Sequence, residues 1–271
     1  MKPFLFKIIA LIFFSIFTTQ LSAQKFQGKA YYFSKSKMEL GNWGARMSEA
    51  QKKQIQNRLK DRLEKKYILN FNMQESTFLE EDKIDAISGA TDSWGGYFSR
   101  GDLHKNIKEN KLVQSQEFYG KRFLVKDKLV NIEWSLGTET KKIGNYTCYK
   151  AAAMVPKSEL NWFDFSWNDL RQNSDETKKI EETMIVIEAW YTPQIPVAQG
   201  PAEYWGLPGL ILEVSAGNTT LLCSEIILNP KEKVTITAPD KGENITKKGY
   251  TSNIRKKMVE MRNNRMGRRS R

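Results

Sequence analysis

The chain has 271 residues, with 43 Lys and Arg against 31 Asp and Glu, a formal net charge of +12, one His and two Cys. One histidine excludes a histidine cluster, and two distant cysteines make a zinc site of the usual nitrogen and sulfur kind improbable. The positive charge is uneven: residues 251–271 carry Arg255, Lys256, Lys257, Arg262, Arg265, Arg268, Arg269 and Arg271 against the single acid Glu260, so the body is close to neutral. The length suits one large domain or two small ones, with ample chain for a core.

The N-terminus has basic Lys2 and Lys7, an apolar run over residues 8–17, and small Ser22 and Ala23 before Gln24. A basic start, a short apolar stretch and a small-residue cleavage site define a secretory signal, here residues 1–23. The run is shorter than the roughly 20 apolar residues a spanning helix needs. The expected product is a periplasmic or secreted protein cleaved between Ala23 and Gln24.

Residues 28–34 (GKAYYFS) read as a first strand. Ser48 with Gln51 makes a capping box. Met47, Gln51, Ile55, Leu59 and Leu63 then recur every four residues among Lys and Arg, which predicts one long helix over residues 49–66. Its thin apolar stripe suits a helix lying on a sheet with a solvated face better than one lying on a membrane. Strands are expected at 67–72 and 76–80, followed by a polar loop over 81–96. Short strand-like pieces then recur at 111–118, 121–125, 131–136 and 146–154, separated by Gly120, Gly137 and Gly144-Asn145. This spacing predicts an antiparallel meander.

Residues 156–180 interrupt the meander as an insertion, with Trp162, Phe163, Phe165 and Trp167 either packed back on the body or forming an aromatic lip. Residues 183–191 (TMIVIEAWY) read as a central strand. Pro193, Pro196 and Pro201 forbid regular ladder pairing and predict an extended crossing over residues 192–202. Leu207-Pro208-Gly209-Leu210 fits a type II turn, with Pro at the second position and Gly at the third. Strands at 210–214, 220–227 and 233–237 and a basic helix over 252–263 complete the pattern. The expected class is α+β: a curved antiparallel β-meander, an open half-barrel-like sheet, with one long helix in the N-terminal half and a basic C-terminal helix. The expected division is a signal peptide at 1–23, one β-rich domain over 24–250 and a basic tail over 251–271.

Several spaced blocks resemble a known family. Gly206-Leu207-Pro208-Gly209-Leu210-Ile211 spells the motif of the GLPGLI family of secreted Bacteroidota proteins. The lead-in Ala189-Trp190-Tyr191-Thr192, Ile195-Pro196 and Gly200-Pro201, and the block from Thr140 through Gly144, Tyr146, Cys148 and Lys150 to Ala151, are similar to that family's pattern in order and spacing. The resemblance covers about residues 28–237. It implies export and no particular activity. Association with outer-membrane transport systems, and a likeness in outline to open half-barrels that carry lipoproteins, come with it as fold-level analogy.

The candidate ligand contacts are Trp190, Tyr191, Tyr204 and Trp205, with Pro208 and Gly209 stiffening the rim that presents them, which lowers the ordering cost of binding. The same residues equally suit core packing around a structural crossing. His104 lies in no recognisable catalytic motif. Glu188, Glu203 and Glu213 are the carboxylates a hydrolase would use, if a pair flanked a cleft. Cys148 and Cys223, both in expected strands, are either a disulfide or two small buried hydrophobes. Arg255, Lys256, Lys257, Arg262 and Arg265 suit an anionic membrane surface. Nucleic acid is not an expected partner, because no stacking motif accompanies these cations and the chain reads as exported. The combined expectation is a non-enzymatic binding or carrier protein for a small amphipathic ligand, with no cofactor. An accessory docked on an outer-membrane protein by its tail, and a carboxylate hydrolase, are the alternatives.

Overall fold

The computed structural model describes residues 26–37, 46–81, 100–163 and 183–269, without the side chains of 61, 62 and 265–269. The signal-like residues 1–23, residues 82–99 with nearly all of the loop expected over 81–96, most of the 156–180 insertion with Phe165 and Trp167, and the Arg265 side chain lie outside the described residues.

Among the described residues twelve strands form one open sheet. In chain order they are β1 (Gln27–Ser36), β2 (Glu64–Asn72), β3 (Glu75–Glu80), β4 (Leu103–Asn106), β5 (Lys111–Phe118), β6 (Lys121–Asp127), β7 (Ser135–Ile143), β8 (Tyr146–Pro156), β9 (Met184–Thr192), β10 (Leu210–Ala216), β11 (Thr219–Leu228) and β12 (Glu243–Ile245). Their spatial order is β12-β6-β5-β4-β3-β2-β1-β11-β10-β9-β8-β7. Two sequential meanders are therefore joined where β1 pairs antiparallel with β11, with Gly28 opposite Leu228 and Ser36 opposite Thr219. Among the described strands only β12 runs parallel to its neighbour, β6. The four helices among the described residues are α1 (Glu49–Arg58), α2 (Lys60–Leu63), α3 (Lys157–Leu160) and α4 (Lys247–Arg269).

One face of the sheet carries the core. On β1 the alternation of buried Gly28, Ala30, Tyr32 and Ser34 with half-buried neighbours shows the period of two that a half-covered strand requires. Across the sheet the buried row continues through Leu69, Phe78, Leu103, Gln114 and Val125, each paired with the next in register. Two elements cover this face. The segment from Pro193 to Gly209 contributes Ile195, Val197, Tyr204 and Leu207 to the main cluster. At the β6 end, α4 lays Tyr250, Ile254 and Met258 on Phe118, Phe123 and Val125, with Trp162 and Phe163 closing the cluster.

Several elements differ from the sequence expectation. The helix over 49–66 is not one helix. Its capping box is present, but α1 ends at Arg58, Leu59 breaks the backbone at φ −97° and ψ 6°, and α2 ends at Leu63. No residue of α1 is buried, so nothing rewards continuing it. Glu64, Lys65 and Lys66 instead start β2, opposite Lys35, Ser34 and Phe33.

Residues 131–134 form no strand. Leu129 and Val130 are buried, and the Trp134 indole donates to the Trp205 carbonyl at 2.9 Å, so this stretch packs beneath the crossing. Residues 233–237 also form no strand. The Val234 amide donates to the Gln27 side chain at 3.3 Å, and the late strand is β12. The C-terminal helix starts at Lys247, five residues before the expected start. Its first turn has no acid of its own, and the Asp127 carboxylate at the end of β6 accepts from the Lys247 amide at 3.1 Å. An acid supplied across space thus meets the positive end of the helix. No described helix is long and apolar enough to cross a membrane.

Candidate functional site

The crossing lies on the core face as a folded plug. Its backbone closes on itself and on β10: Leu210 donates to Ile195 at 2.9 Å, Ile211 to Gln199 at 3.1 Å and Gly206 to Ala198 at 3.0 Å. At its tight bend Ala202 takes the left-handed conformation, at φ +49°. Gly200 is required by close approach, since a Cβ there would lie 2.7 Å from the Ile211 side chain and 2.9 Å from the Tyr204 carbonyl oxygen.

Polar side chains of the first meander hold this plug. Ser76 donates to the Gln199 amide oxygen at 2.8 Å. Lys105, fully buried on β4, donates to the carbonyls of Gly200 at 2.7 Å and Tyr204 at 2.8 Å. Arg100 pairs with Glu203, whose side chain is 1 % exposed. On β1 the Tyr32 hydroxyl donates to the Ile211 carbonyl at 2.6 Å, and the Trp205 indole donates to the Val130 carbonyl at 2.9 Å.

The electrostatics follow from burial. Desolvation pushes the Lys105 ammonium down to about 7, against the pull of Glu203. Burial also opposes the Arg100 charge, but the Glu203 carboxylate outweighs it and holds the guanidinium above its ordinary value. Burial raises Tyr204 and pushes Tyr67 up to about 12. Two cations and one carboxylate therefore sit together under the crossing, each bound to a fold element.

The structure separates the residues expected to act as one surface. Trp190 is on the outer face of the sheet, with Lys141 Nζ 4.3 Å and Lys150 Nζ 6.0 Å from its ring centre. Tyr191 and Tyr204 are buried on the core side, and Trp205 is half-buried. Pro208 is exposed and Gly209 buried. The expected type II turn is absent: the Gly209 amide bonds to Leu207 at 2.8 Å, a tighter turn centred on Pro208, and the Leu210 amide goes to Ile195 instead. Gly209 is nonetheless required, because a Cβ there would fall 2.2 Å from the Thr192 carbonyl oxygen.

The three carboxylates are also split. Glu188 pairs with Lys150 at 3.7 Å and Glu213 with Lys141 at 2.7 Å, on either side of Trp190, whereas Glu203 is on the opposite face. His104 is buried, with Nε2 3.8 Å from a Glu75 carboxylate oxygen, and burial lowers its pKa.

Cys148 and Cys223 are both free and buried, so the bridge weighed from sequence is not formed. Strands β9 and β10 stand between their strands in the sheet order, and the Cys148 thiol adds to the burial that raises Cys223. Burial pushes the Cys148 thiol up to about 11 and the Cys223 thiol up to about 12.

Sequence reasoning missed Arg100, Lys105 and Ser76. All three are polar residues in or beside short strands, and β4 has only four residues, LHKN, with weak strand character. The one available signal was the alternation of Leu103 with Lys105, which puts a lysine on the core face.

A cleft of about 470 Å³ opens beside this cluster, between β5, β6 and the loop over residues 239–241. Gly101, Ser115, Gln116, Phe123 and Pro239 line it, with Asp102, Glu117, Arg122, Asp240 and Lys241 as its charged groups. None of the expected aromatic contacts reaches it. Among the described residues no group of three or more His, Cys, Asp or Glu side chains is placed to hold a metal ion.

Residues 134–213 match a family described as "Protein of unknown function (Porph_ging)". The matched stretch includes the Thr140–Ala151 block, the Ala189–Thr192 run and the Gly206–Ile211 motif. No curated protein matches the chain. Two solved structures are similar to it, both at 15% identity. One, described as "Structure of PNGF-II in C2 space group", has a TM-score of 0.46 and covers 84% of this chain and 32% of its own. The other, "Structure of PNGF-II in P21 space group", has a TM-score of 0.44 and covers 81% and 31%. The chain spans about a third of the length of those structures.

Proposed function

We propose that the protein is an exported, non-enzymatic binding protein of the GLPGLI type that takes a small amphipathic ligand in the cleft beneath the 239–241 loop. The observation that carries this reading is the cleft itself, together with the filling of the core face beside it. The crossing occupies that face with its own side chains, so a ligand held there would have to displace Lys105, Arg100 and Glu203 from their partners. The open cleft requires no such displacement. Its volume of about 470 Å³ falls within the range of small-molecule sites. Pro239 offers apolar contact, and Arg122, Asp240 and Lys241 offer charge. This lining suits a molecule with an apolar body and a charged end. Export rests on the signal-like residues 1–23, and a link to outer-membrane transport rests on the family resemblance.

The hydrolase reading loses support from the same geometry, because Glu188, Glu203 and Glu213 are each held by a cation and Glu203 lies on the face opposite the other two. The test is native mass spectrometry of the chain from Gln24 onward, purified gently from a periplasmic extract, beside an Asp240→Trp variant that fills the mouth of the cleft. A bound mass on the parent that the variant loses at unchanged melting temperature supports the cleft. An apo parent, or a mass retained by the variant, removes it.

A further inference from the structure

The charges that line the cleft under the 239–241 loop are not equivalent. Most of them are engaged within the fold. Glu117 and Arg122, opposite one another on β5 and β6, approach to 3.6 Å. Lys121 beside them holds Glu243 at 2.6 Å. Asp102 is tied to β5, its amide donating to the Ser115 hydroxyl at 3.2 Å and its carbonyl accepting from the Ser115 amide at 2.9 Å. Among the described residues no ion pair engages Asp240 or Lys241, and both are exposed and line the cleft. The basic residues of α4 offer no comparable pair: Arg255 and Arg262 are half-buried, and Lys257 is held by Glu260 at 3.4 Å beside exposed Lys256.

The backbone after these two residues fixes them. Gly242 has φ +137°, and a Cβ there would fall 2.7 Å from the Phe123 carbonyl carbon. The loop therefore closes directly onto β6, and β12 continues from it in parallel register, with Glu243 opposite Phe123. A carboxylate and an ammonium on consecutive residues thus stand at the cleft on an anchored segment, which lowers the ordering cost of binding.

The rest of the lining narrows the ligand. Three acids, Asp102, Glu117 and Asp240, stand against two cations, Arg122 and Lys241, which disfavours a polyanion. Phe123 is the one aromatic residue of the lining, and its ring packs edge-on against Tyr250 on the core side, so no ring face is offered for stacking. We propose, taking the cleft as the binding site put forward above, that its ligand is an α-amino acid with an apolar side chain. The ammonium pairs with Asp240, the carboxylate with Lys241, and the side chain lies toward Pro239. An α-amino acid carries its two charges on one carbon, which matches two opposite charges on consecutive residues of one loop. It is neutral overall, so the excess acid of the cleft does not repel it.

The experiment titrates the ¹⁵N-labelled chain from Gln24 with leucine, N-acetyl-leucine and leucine methyl ester, and follows amide chemical shifts. Acetylation removes the ammonium and esterification removes the carboxylate. Leucine should shift the amides of Glu117, Asp240 and Lys241 saturably, and each blocked analogue should bind about fivefold more weakly, the worth of one exposed ion pair. Asp240→Asn should weaken leucine about fivefold and leave N-acetyl-leucine unchanged, and Lys241→Gln should weaken leucine and leave the methyl ester unchanged. Equal binding of all three compounds at these amides overturns the amino-acid assignment and leaves the cleft as a site. Leucine shifts that survive in Asp240→Trp overturn both. No saturable shift with leucine overturns the amino-acid assignment, and the native mass spectrum then decides the cleft by itself.

Discussion

Lys105 and Tyr204, 99 positions apart in sequence, meet where the Lys105 ammonium donates to the Tyr204 carbonyl at 2.8 Å, fully inside the protein. The same nitrogen bonds to the Gly200 carbonyl, so one side chain holds both ends of the bend that seats the crossing. A lysine in this position has a pH signature. Its ordinary value of 10.5 is pushed down to about 7 by burial. Between those two values the unfolded chain holds a proton that the folded chain has released. Stability therefore rises with pH across that window, by at most about 1.4 kcal/mol per pH unit, and this contribution is flat below pH 7. Chemical denaturation at a series of pH values should show that slope. Lys105→Met should abolish it, and should cost about 2 kcal/mol near neutrality by leaving two buried carbonyls unsatisfied. Persistence of the slope in the variant would assign it to another group.

The motif at the end of the crossing makes a second prediction. Gly209 has no room for a Cβ against the Thr192 carbonyl, while Pro208 is exposed and makes no such contact. Gly209→Ala should therefore destabilise the protein by about 3 kcal/mol, the upper part of the range for overpacking a fixed site. Pro208→Ala should cost under about 1 kcal/mol, mainly through a freer unfolded chain. Comparing the two melting temperatures separates a fold-critical motif from a ligand contact. Equal, small losses would remove the packing explanation.

The antiparallel meander, most strand positions, the Ser48 capping box and the irregular Pro-rich crossing were legible in the sequence, because each rests on a local signal. Tyr and Phe enrichment marks β1, and Pro193, Pro196 and Pro201, which lack amides, forbid regular ladder pairing along the segment that joins β9 to β10. What was not legible depends on residues far apart. The break at Leu59 arises because nothing covers α1, and the early start of α4 arises because Asp127 supplies its missing cap. The candidate site was misjudged for the same reason. Trp190 and Tyr191 are adjacent in sequence, yet strand geometry sends them to opposite faces. The polar residues that seat the crossing, Ser76 on β3, Arg100, and Lys105 on β4, stand 123, 103 and 95 positions from their partners.

The two thiols give a third prediction. Cys148 and Cys223 are buried, unbridged and held far up the pH scale by burial. The thiolate is the reactive form. Both cysteines should resist an aromatic disulfide reagent at pH 8 in the folded protein and react fully in denaturant. The melting temperature should not change with reductant, because there is no bridge to break. A reductant-dependent fall would show a disulfide and a different arrangement of β8 and β11.

Glu203 gives the fourth, and it bears on catalysis as well as on stability. A hydrolase that used this carboxylate would lose turnover in Glu203→Gln while keeping its fold. The structure predicts the reverse. Glu203 is the partner of Arg100 beneath the crossing, and its removal leaves a guanidinium that is only 16 % exposed without a counter-charge. Breaking one side of such a pair costs about 3–5 kcal/mol, more than the pair itself contributes. The double variant Arg100→Met with Glu203→Leu removes both charges and should recover most of that loss. A thermodynamic cycle of the two single variants and the double variant reads this directly. Strong coupling fixes Glu203 as a structural residue that seats the crossing. A stable single variant with no coupling would return the carboxylate to the list of candidates for chemistry.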